Sequence, residues 1–273
     1  MGRVVVSGSF DDLRSRHVRL LHEASRLGSV HVLLWSDDLH LARHGDAPGF
    51  PQAEREYFLK SMRYADRVTV VDGIEKDELP AEHADGGTIW VVEQSQGSPD
   101  KEAFCRERGL GYCVMPEEQL QGFPEHMDCA NGQAESGRKK VLVTGCFDWF
   151  HSGHVRFFEE ASQLGDLYVV VGHDRNLRLL KGEGHPLYLE DERRYMAGSV
   201  RFVKRALVST GEGWLDAEPE IGVIKPDVYV VNDDGDRPEK QEFCQTHGIG
   251  NHVLQRKPKE GLPKRESTAL RGF

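Results

Sequence analysis

Cysteine is scarce. There are five in 273 residues (Cys105, Cys113, Cys129, Cys146 and Cys244), and none forms a CxxC pair. That spacing excludes a disulfide-stapled scaffold and offers no thiolate zinc or dithiol redox motif, so a reducing, cytoplasmic setting is the simplest expectation. Long apolar runs are absent too. No stretch approaches the roughly 18 residues that a membrane helix needs, so no membrane insertion is expected. The N-terminus enters Val4-Val5-Val6 directly, without an apolar stretch long enough for a signal peptide. Val6 stands where a myristoylation pattern requires Ser or Thr. Basic charge falls short of acidic, 35 Lys and Arg against 45 Asp and Glu, for a net charge of -10. This argues against broad nucleic-acid binding, which needs a basic footprint. Hydrophobic residues still make up 38% of the chain, enough for a globular core.

What the chain does contain is a long internal likeness. Gly8–Gly28 (GSFDDLRSRHVRLLHEASRLG) lies over Gly145–Gly165 (GCFDWFHSGHVRFFEEASQLG) with 12 of 21 positions identical. Downstream, Arg55, Tyr57, Ser61 and Arg63 fall on Arg193, Tyr195, Ser199 and Arg201. Ile89-Trp90-Val91-Val92 falls on Val228-Tyr229-Val230-Val231, and Phe104-Cys105 on Phe243-Cys244. The offset drifts only between 137 and 139. The expected organisation is a tandem duplication, with a first domain over 1–125, a polar linker over 126–139 containing Asn131-Gly132, and a second domain over 140–273. The negative charge belongs to one half. Residues 1–137 hold 14 basic and 24 acidic side chains, while residues 138–273 hold 21 of each.

Each half alternates short apolar runs with helical patterns. In the second, Val141–Thr144 is a run stopped by Gly145, as suits a parallel strand buried on both faces. Val155–Leu164 carries a helical apolar stripe of Phe157, Phe158, Ala161 and Leu164. Strands are expected at Leu167–Val171, Arg205–Val208 and Asp227–Val231, and helices at Leu189–Val200 and Glu239–Thr246. Alternating βα units predict an α/β class: two tandem Rossmann-like, doubly wound parallel-sheet domains, with ligands at the C-terminal ends of the strands.

The chemistry-bearing segment is Gly145-Cys146-Phe147-Asp148-Trp149-Phe150-His151-Ser152-Gly153-His154. Gly145 permits a tight turn off the strand, and Gly153 permits a phosphate to approach the backbone. A helix N-terminus supplies unpaired N–H groups and partial positive charge. His151 and His154, three apart, share one helical face. Two imidazoles there can donate to oxygens as negative charge builds in phosphoryl transfer. Taken alone, two such histidines suit a simple helix cap equally well. The strand before, the helix after and the flanking glycines favour the phosphate site. The turn lacks GxGxxG, which speaks against an NAD-linked dehydrogenase.

GxFDxxHxGH followed by a helix resembles the signature of the HxGH nucleotidyltransferase superfamily. Within it, residues 140–273 are most similar to cytidylyltransferases of the glycerol-3-phosphate, choline-phosphate and ethanolamine-phosphate type. The resemblance implies catalytic roles for His151, His154 and Lys181, the last being the family's lysine after the second strand. It implies nucleotide binding by Gly145, Cys146, Phe147, Asp148, Gly153, Arg193 of the ExR helix, Arg201, Asp233, Ser267 and Thr268. Val231-Asn232-Asp233-Asp234 resembles the family's GDD strand end, and Arg265-Glu266-Ser267-Thr268 its late ST segment, with Ala269 in place of a second Thr. It further implies CTP as donor, a small phosphorylated alcohol or phosphonate as acceptor, Mg²⁺ with the triphosphate, and no dedicated metal ligands. Lys181-Gly182-Glu183-Gly184-His185-Pro186 also resembles the KGxxRP stretch of heptose-phosphate adenylyltransferases, so ATP stays open as donor. A nucleotide-binding regulator without turnover is a further alternative. Cys146 reads as a backbone contact to phosphate, since no base partners it, and Trp149 as packing or a pocket wall.

The first half has lost the motif. Arg14-Ser15-Arg16-His17 stands where the second half has His151–His154, Arg43 is expected at the lysine position, Trp35 replaces Gly172, and no ST segment occurs near 125–137. This half is expected to be catalytically silent. It would serve as scaffold or as partner in an internal pseudo-dimer, with further homodimerisation open.

Overall fold

The computed structural model describes residues 2–73, 75, 77–125, 137–267 and 270. The chain divides into two compact units, Met1–Gly122 and Phe123–Phe273. Phe123 belongs with the second. Its carbonyl accepts from Arg194, and its ring packs 5.9 Å from Tyr195. The first unit therefore ends three residues before the expected 125. Asn131-Gly132 of the expected linker lie outside the described residues.

The first unit runs β1 (Gly2–Gly8), α1 (Ser15–Ser25), β2 (Gly28–Trp35), α2 (Asp37–His44), α3 (Gln52–Lys60), β3 (Arg67–Val71), β4 (Thr88–Glu93), α4 (Pro99–Arg108) and β5 (Gly111–Met115). The second runs β6 (Lys140–Gly145), α5 (Ser152–Ser162), β7 (Asp166–Val171), α6 (Asp174–Lys181), α7 (Glu190–Gly198), β8 (Val203–Val208), α8 (Glu218–Ile224), β9 (Val228–Asn232), α9 (Pro238–His247) and β10 (Gly250–Leu254). Every strand pairing is parallel. The sheets are ordered β3-β2-β1-β4-β5 and β10-β9-β6-β7-β8, the same arrangement in both units.

The apolar runs explain the central strands. Val4, Val5 and Val6 of β1, and Val141, Leu142 and Val143 of β6, are fully buried because helices cover both faces of a parallel sheet. Sequence periodicity missed α6, α8 and β10. Helices α6 and α8 are only eight and seven residues long, too short for a sustained period, and β10 is largely exposed.

The order reverses at β6, whose neighbours are β7 and β9. Its ladder to β7 continues to Gly145 opposite Val171, while its ladder to β9 stops at Val143 opposite Val230. The strands part beyond that point. A crevice at the carboxyl ends of strands, where the order reverses, is where ligands bind in open α/β sheets.

The first unit buries histidines as neutral groups. Burial, with Arg19 next, pushes His22 down to about 4, and burial, with His83 next, pushes His31 to about 4. An unfolded imidazole takes up its proton near pH 6.5. Because the folded values are depressed, the stability these rings contribute is fully present above pH 6.5 and is lost as pH falls from 6.5 towards 4. We expect the urea midpoint of the first unit to drop markedly between pH 7.5 and pH 4.5. Each ring accounts for on the order of 1–2 kcal/mol after solvent screening. A midpoint unchanged across that range would contradict buried neutral histidines.

Candidate nucleotide-transfer site

The loop from β6 to α5 turns sharply. Phe147 adopts φ +50°, and its ring packs against Phe158 and His154 at 5.0 and 5.3 Å. A Cβ at Gly145 would come within 2.8 Å of the Phe147 ring, so this position needs glycine. The strained backbone is held because that ring is buried beneath α5.

His151 is the N-cap of α5. Its Nδ1 accepts from the Gly153 N–H at 3.1 Å. In the neutral ring the proton then sits on Nε2, a buried donor with no hydrogen-bond partner. His154 stacks on His151 with ring centroids 3.9 Å apart, and its Nδ1 is likewise buried and unpartnered. Burial, then Arg256 and Arg265, pushes His151 down to about 3, and burial, then His151, lowers His154 well below its ordinary value. Both rings are therefore neutral near pH 7. Two orphaned polar atoms at a helix N-terminus carry a desolvation cost that an anionic ligand would relieve. Gly153 has a closer reason to be glycine than phosphate approach: a Cβ there would lie 2.9 Å from Cε1 of His151.

These residues line a cavity of about 330 Å³. Gly145, Cys146, Phe147, Asp148, Trp149, Gly153, Lys181 and Ser267 also line it. A second lobe of about 330 Å³ adjoins it, sharing Thr144, Gly145, Cys146, Lys181, Asp234, Gly235 and Lys240. Its outer wall is Gly172, Asn176, Leu177, Trp214, Asp216 and Arg237. Lys181 closes α6 and touches both lobes; it is the last residue of a helix, not part of a loop. Its positive charge acts on the Cys146 thiol, where burial dominates. Burial pushes that thiol up, so Cys146 is no poised nucleophile.

Other expected site residues sit differently. Asp148 is buried, and its Oδ1 accepts from the N–H groups of Leu187 (2.7 Å) and Tyr188 (3.0 Å). It anchors the loop that roofs the first lobe. Arg193 lines neither lobe. It is 1% exposed and donates to the carbonyls of Tyr188 and Cys146 and to Asp174. Arg201 is exposed in the turn before β8, at the opposite end of that strand from the site. Asp233 is exposed and accepts from the Asp234 N–H, and Asp234 is the one that lines the lobes. Ser267 donates to the Trp149 carbonyl at 3.2 Å, and Thr268 lies outside the described residues. Trp149 is buried against Tyr188 and walls the cavity.

Sequence reasoning did not single out Thr144, Lys240, Asp234 or Arg256 as site residues. Arg256 lines the first lobe and pairs with Asp234. Thr144 adjoins the motif in the chain, whereas only the parted strands and the fold of the C-terminal segment bring Asp234, Lys240 and Arg256 to it.

The first unit repeats the supporting network without the site. Asp11 accepts from the N–H groups of Gly49 and Phe50, and Arg55 donates to Phe50, Ser9 and Asp37. At the motif, the Arg16 guanidinium is clasped by Glu93 (2.7 Å) and Glu117 (2.7 Å), and Arg14 pairs with Asp12. The helix ends set His44, not Arg43, opposite Lys181, because α2 spans Asp37–His44 as α6 spans Asp174–Lys181.

The cytidylyltransferase-like family model matches residues 142–245. An FAD synthase of Aciduliprofundum boonei is 37% identical over 121 residues, covering 43% of this chain and 78% of the relative. An FAD synthase of Ferroglobus placidus is 37% identical over 125 residues, 45% of this chain and 78% of the relative. The bifunctional protein HldE of Campylobacter concisus is 38% identical over 103 residues, 37% of this chain but only 21% of that longer protein.

Proposed function

The chain belongs to the cytidylyltransferase-like nucleotidyltransferases, and we propose that its second unit transfers a nucleoside monophosphate from a nucleoside triphosphate to a small phosphorylated acceptor. The observation that carries this is the stacked pair His151–His154, neutral, at a helix N-terminus, with an unpartnered nitrogen on each ring. The acceptor's phosphate oxygen would attack the α-phosphorus in line, the bond to the bridging oxygen would break, and pyrophosphate would leave. His151 Nε2–H, His154 and Lys181 would take up the growing charge, and Arg256 would hold the leaving phosphates. No covalent intermediate is needed. Among the described residues no group of three or more His, Cys, Asp or Glu is arranged to hold a metal. Mg²⁺ would come bound to the triphosphate and offset its charge.

ATP is the donor the relatives favour, since FAD is a flavin phosphate joined to AMP. CTP is the second reading, supported by the likeness to glycerol-3-phosphate-type cytidylyltransferases. The first unit is proposed to be a duplicated, silent copy. The shared strand order and the shared Asp–Arg network support duplication. The Arg16–Glu93–Glu117 clasp, with carboxylates where phosphates would lie, supports silence.

Pyrophosphate release tests this, with each of four nucleoside triphosphates against flavin mononucleotide, sn-glycerol 3-phosphate, phosphoethanolamine and a heptose phosphate. Acceptor-dependent release with ATP is the expected result. Release with CTP but not ATP would select the second reading. Nucleotide binding with no release against a broad set of phosphate monoesters would reject transfer.

A further inference from the structure

The second lobe carries more cationic charge than its carboxylates neutralise. Lys181, Arg237 and Lys240 line it, and none of the three makes a salt bridge among the described residues. Of its two carboxylates, Asp234 pairs with Arg256, while Asp216 accepts from the Ser209 hydroxyl at 2.7 Å and offsets part of the charge of Lys240. Lys240 is half-buried. Its Nζ lies 3.4 Å from the Thr144 hydroxyl and 5.3 Å above the Tyr229 ring, and neither contact neutralises an ammonium. The Thr144 oxygen is already bonded to the Tyr229 hydroxyl at 2.6 Å. One turn earlier, the Arg237 guanidinium carbon lies over Trp214, 3.6 Å from the ring centroid, a cation–π contact that leaves the group without a carboxylate among the described residues. Both residues sit at the N-terminus of the ten-residue helix α9, whose partial charge adds to theirs.

We infer that Lys240, together with Arg237, anchors the acceptor's phosphate in the second lobe, an assignment that rests on the transfer reaction proposed above. The arrangement of the lobes fits this role. The nucleotide's phosphates belong with His151 and His154 in the first lobe. An attacking oxygen must come from the side opposite the departing pyrophosphate, and the second lobe adjoins the first across Thr144–Cys146, Lys181, Asp234, Gly235 and Lys240. Lys181 then stands between the two phosphates, and Lys240 holds the incoming one. Burial lowers the Lys240 ammonium below its ordinary value, so an arriving dianion is the partner that would stabilise it. The lobe offers few free polar atoms to the rest of the acceptor. The Asn176 carboxamide is tied to Gly213, donating one N–H to its carbonyl at 3.0 Å and accepting from its N–H at 2.8 Å. Leu177 and Trp214 supply an apolar wall. The acceptor class is thus a phosphate monoester recognised by its phosphate rather than by a set of hydroxyls.

The test is calorimetric titration of the full chain with inorganic phosphate while an α,β-methylene analogue of the preferred nucleoside triphosphate saturates the first lobe. Wild type should bind phosphate under these conditions. Lys240→Met should weaken that binding by roughly tenfold or more, as expected for losing a charged hydrogen bond, and Lys240→Arg should restore part of it. Analogue affinity should stay within about twofold. Arg237→Gln serves as a second variant, with the same expectation, should Lys240→Met fold poorly. Phosphate affinity unchanged in both variants would overturn the assignment. So would loss of analogue binding in Lys240→Met, which would move Lys240 to the donor side. Failure of wild type to bind the analogue at all would instead reject the transfer reaction itself.

Discussion

Replacing His151 or His154 by Ala lowers kcat for pyrophosphate release by about 10²–10³, whereas Arg14→Ala and Arg16→Ala leave it within about twofold. The asymmetry follows from what each side chain faces. His151 carries its proton on a buried Nε2 that no protein group accepts, and His154 Nδ1 is equally unpartnered. Buried groups held ready in this way act most strongly on the charge that develops between ground and transition state. The loss should therefore fall on kcat more than on the KM for nucleotide. Arg16, by contrast, is already spent on Glu93 and Glu117. Steady-state assays with the best donor–acceptor pair decide the matter. His151 also caps α5 through Gly153, so His151→Ala should cost about 1 kcal/mol of stability. If capping were its only role, the melting temperature would fall while kcat held. Equal losses of turnover from the Arg16 and His151 variants would end the assignment of the first unit as silent.

The parts of this molecule that follow from short-range pattern were legible in the sequence. Val141–Thr144 reads as a buried strand because both its faces are covered, and His151–His154 reads as a phosphate site because a strand, a turn and a helix follow one another without a gap. What was not legible depends on strands that meet only in three dimensions. Arg193 and Arg201 matched a motif by position, yet one is buried in a loop-to-helix network and the other is exposed away from the lobes. Nothing in spacing distinguishes an arginine that binds phosphate from one that binds three backbone and carboxylate acceptors. Lys240 was invisible for a related reason. It lies 96 residues from Thr144, and only the early end of the β6–β9 ladder brings the two together. The first unit helped here. The Asp–Arg network appears there without the histidine pair, which separates residues that hold the fold from residues that could do chemistry.

Arg193→Ala is accordingly expected to unfold the second unit more readily rather than to remove a nucleotide contact. The guanidinium is 1% exposed and makes three interactions: Nε to the Tyr188 carbonyl at 2.8 Å, one terminal nitrogen to the Cys146 carbonyl at 2.8 Å, and the other to Asp174 at 2.7 Å. It ties the β6–α5 loop, the roof loop and the start of α6 to one point. Truncation leaves a carboxylate without its cation and two carbonyls without donors, a change that costs about 3–5 kcal/mol for a buried pair. For a unit of this size that is a fall of roughly 10 °C in melting temperature. Lys at this position keeps the charge but cannot reach three acceptors in a fork, so Arg193→Lys should recover less than half of the loss. Scanning calorimetry and turnover below the melting transition separate the two roles. A positioning arginine gives a large thermal shift and a turnover defect that excess nucleotide does not relieve. A phosphate-binding arginine would give an unshifted transition with a raised KM for nucleotide. Arg55→Ala should produce a thermal shift of similar size in the first unit, where Phe50, Ser9 and Asp37 accept from the same fork and no histidine pair waits beside it.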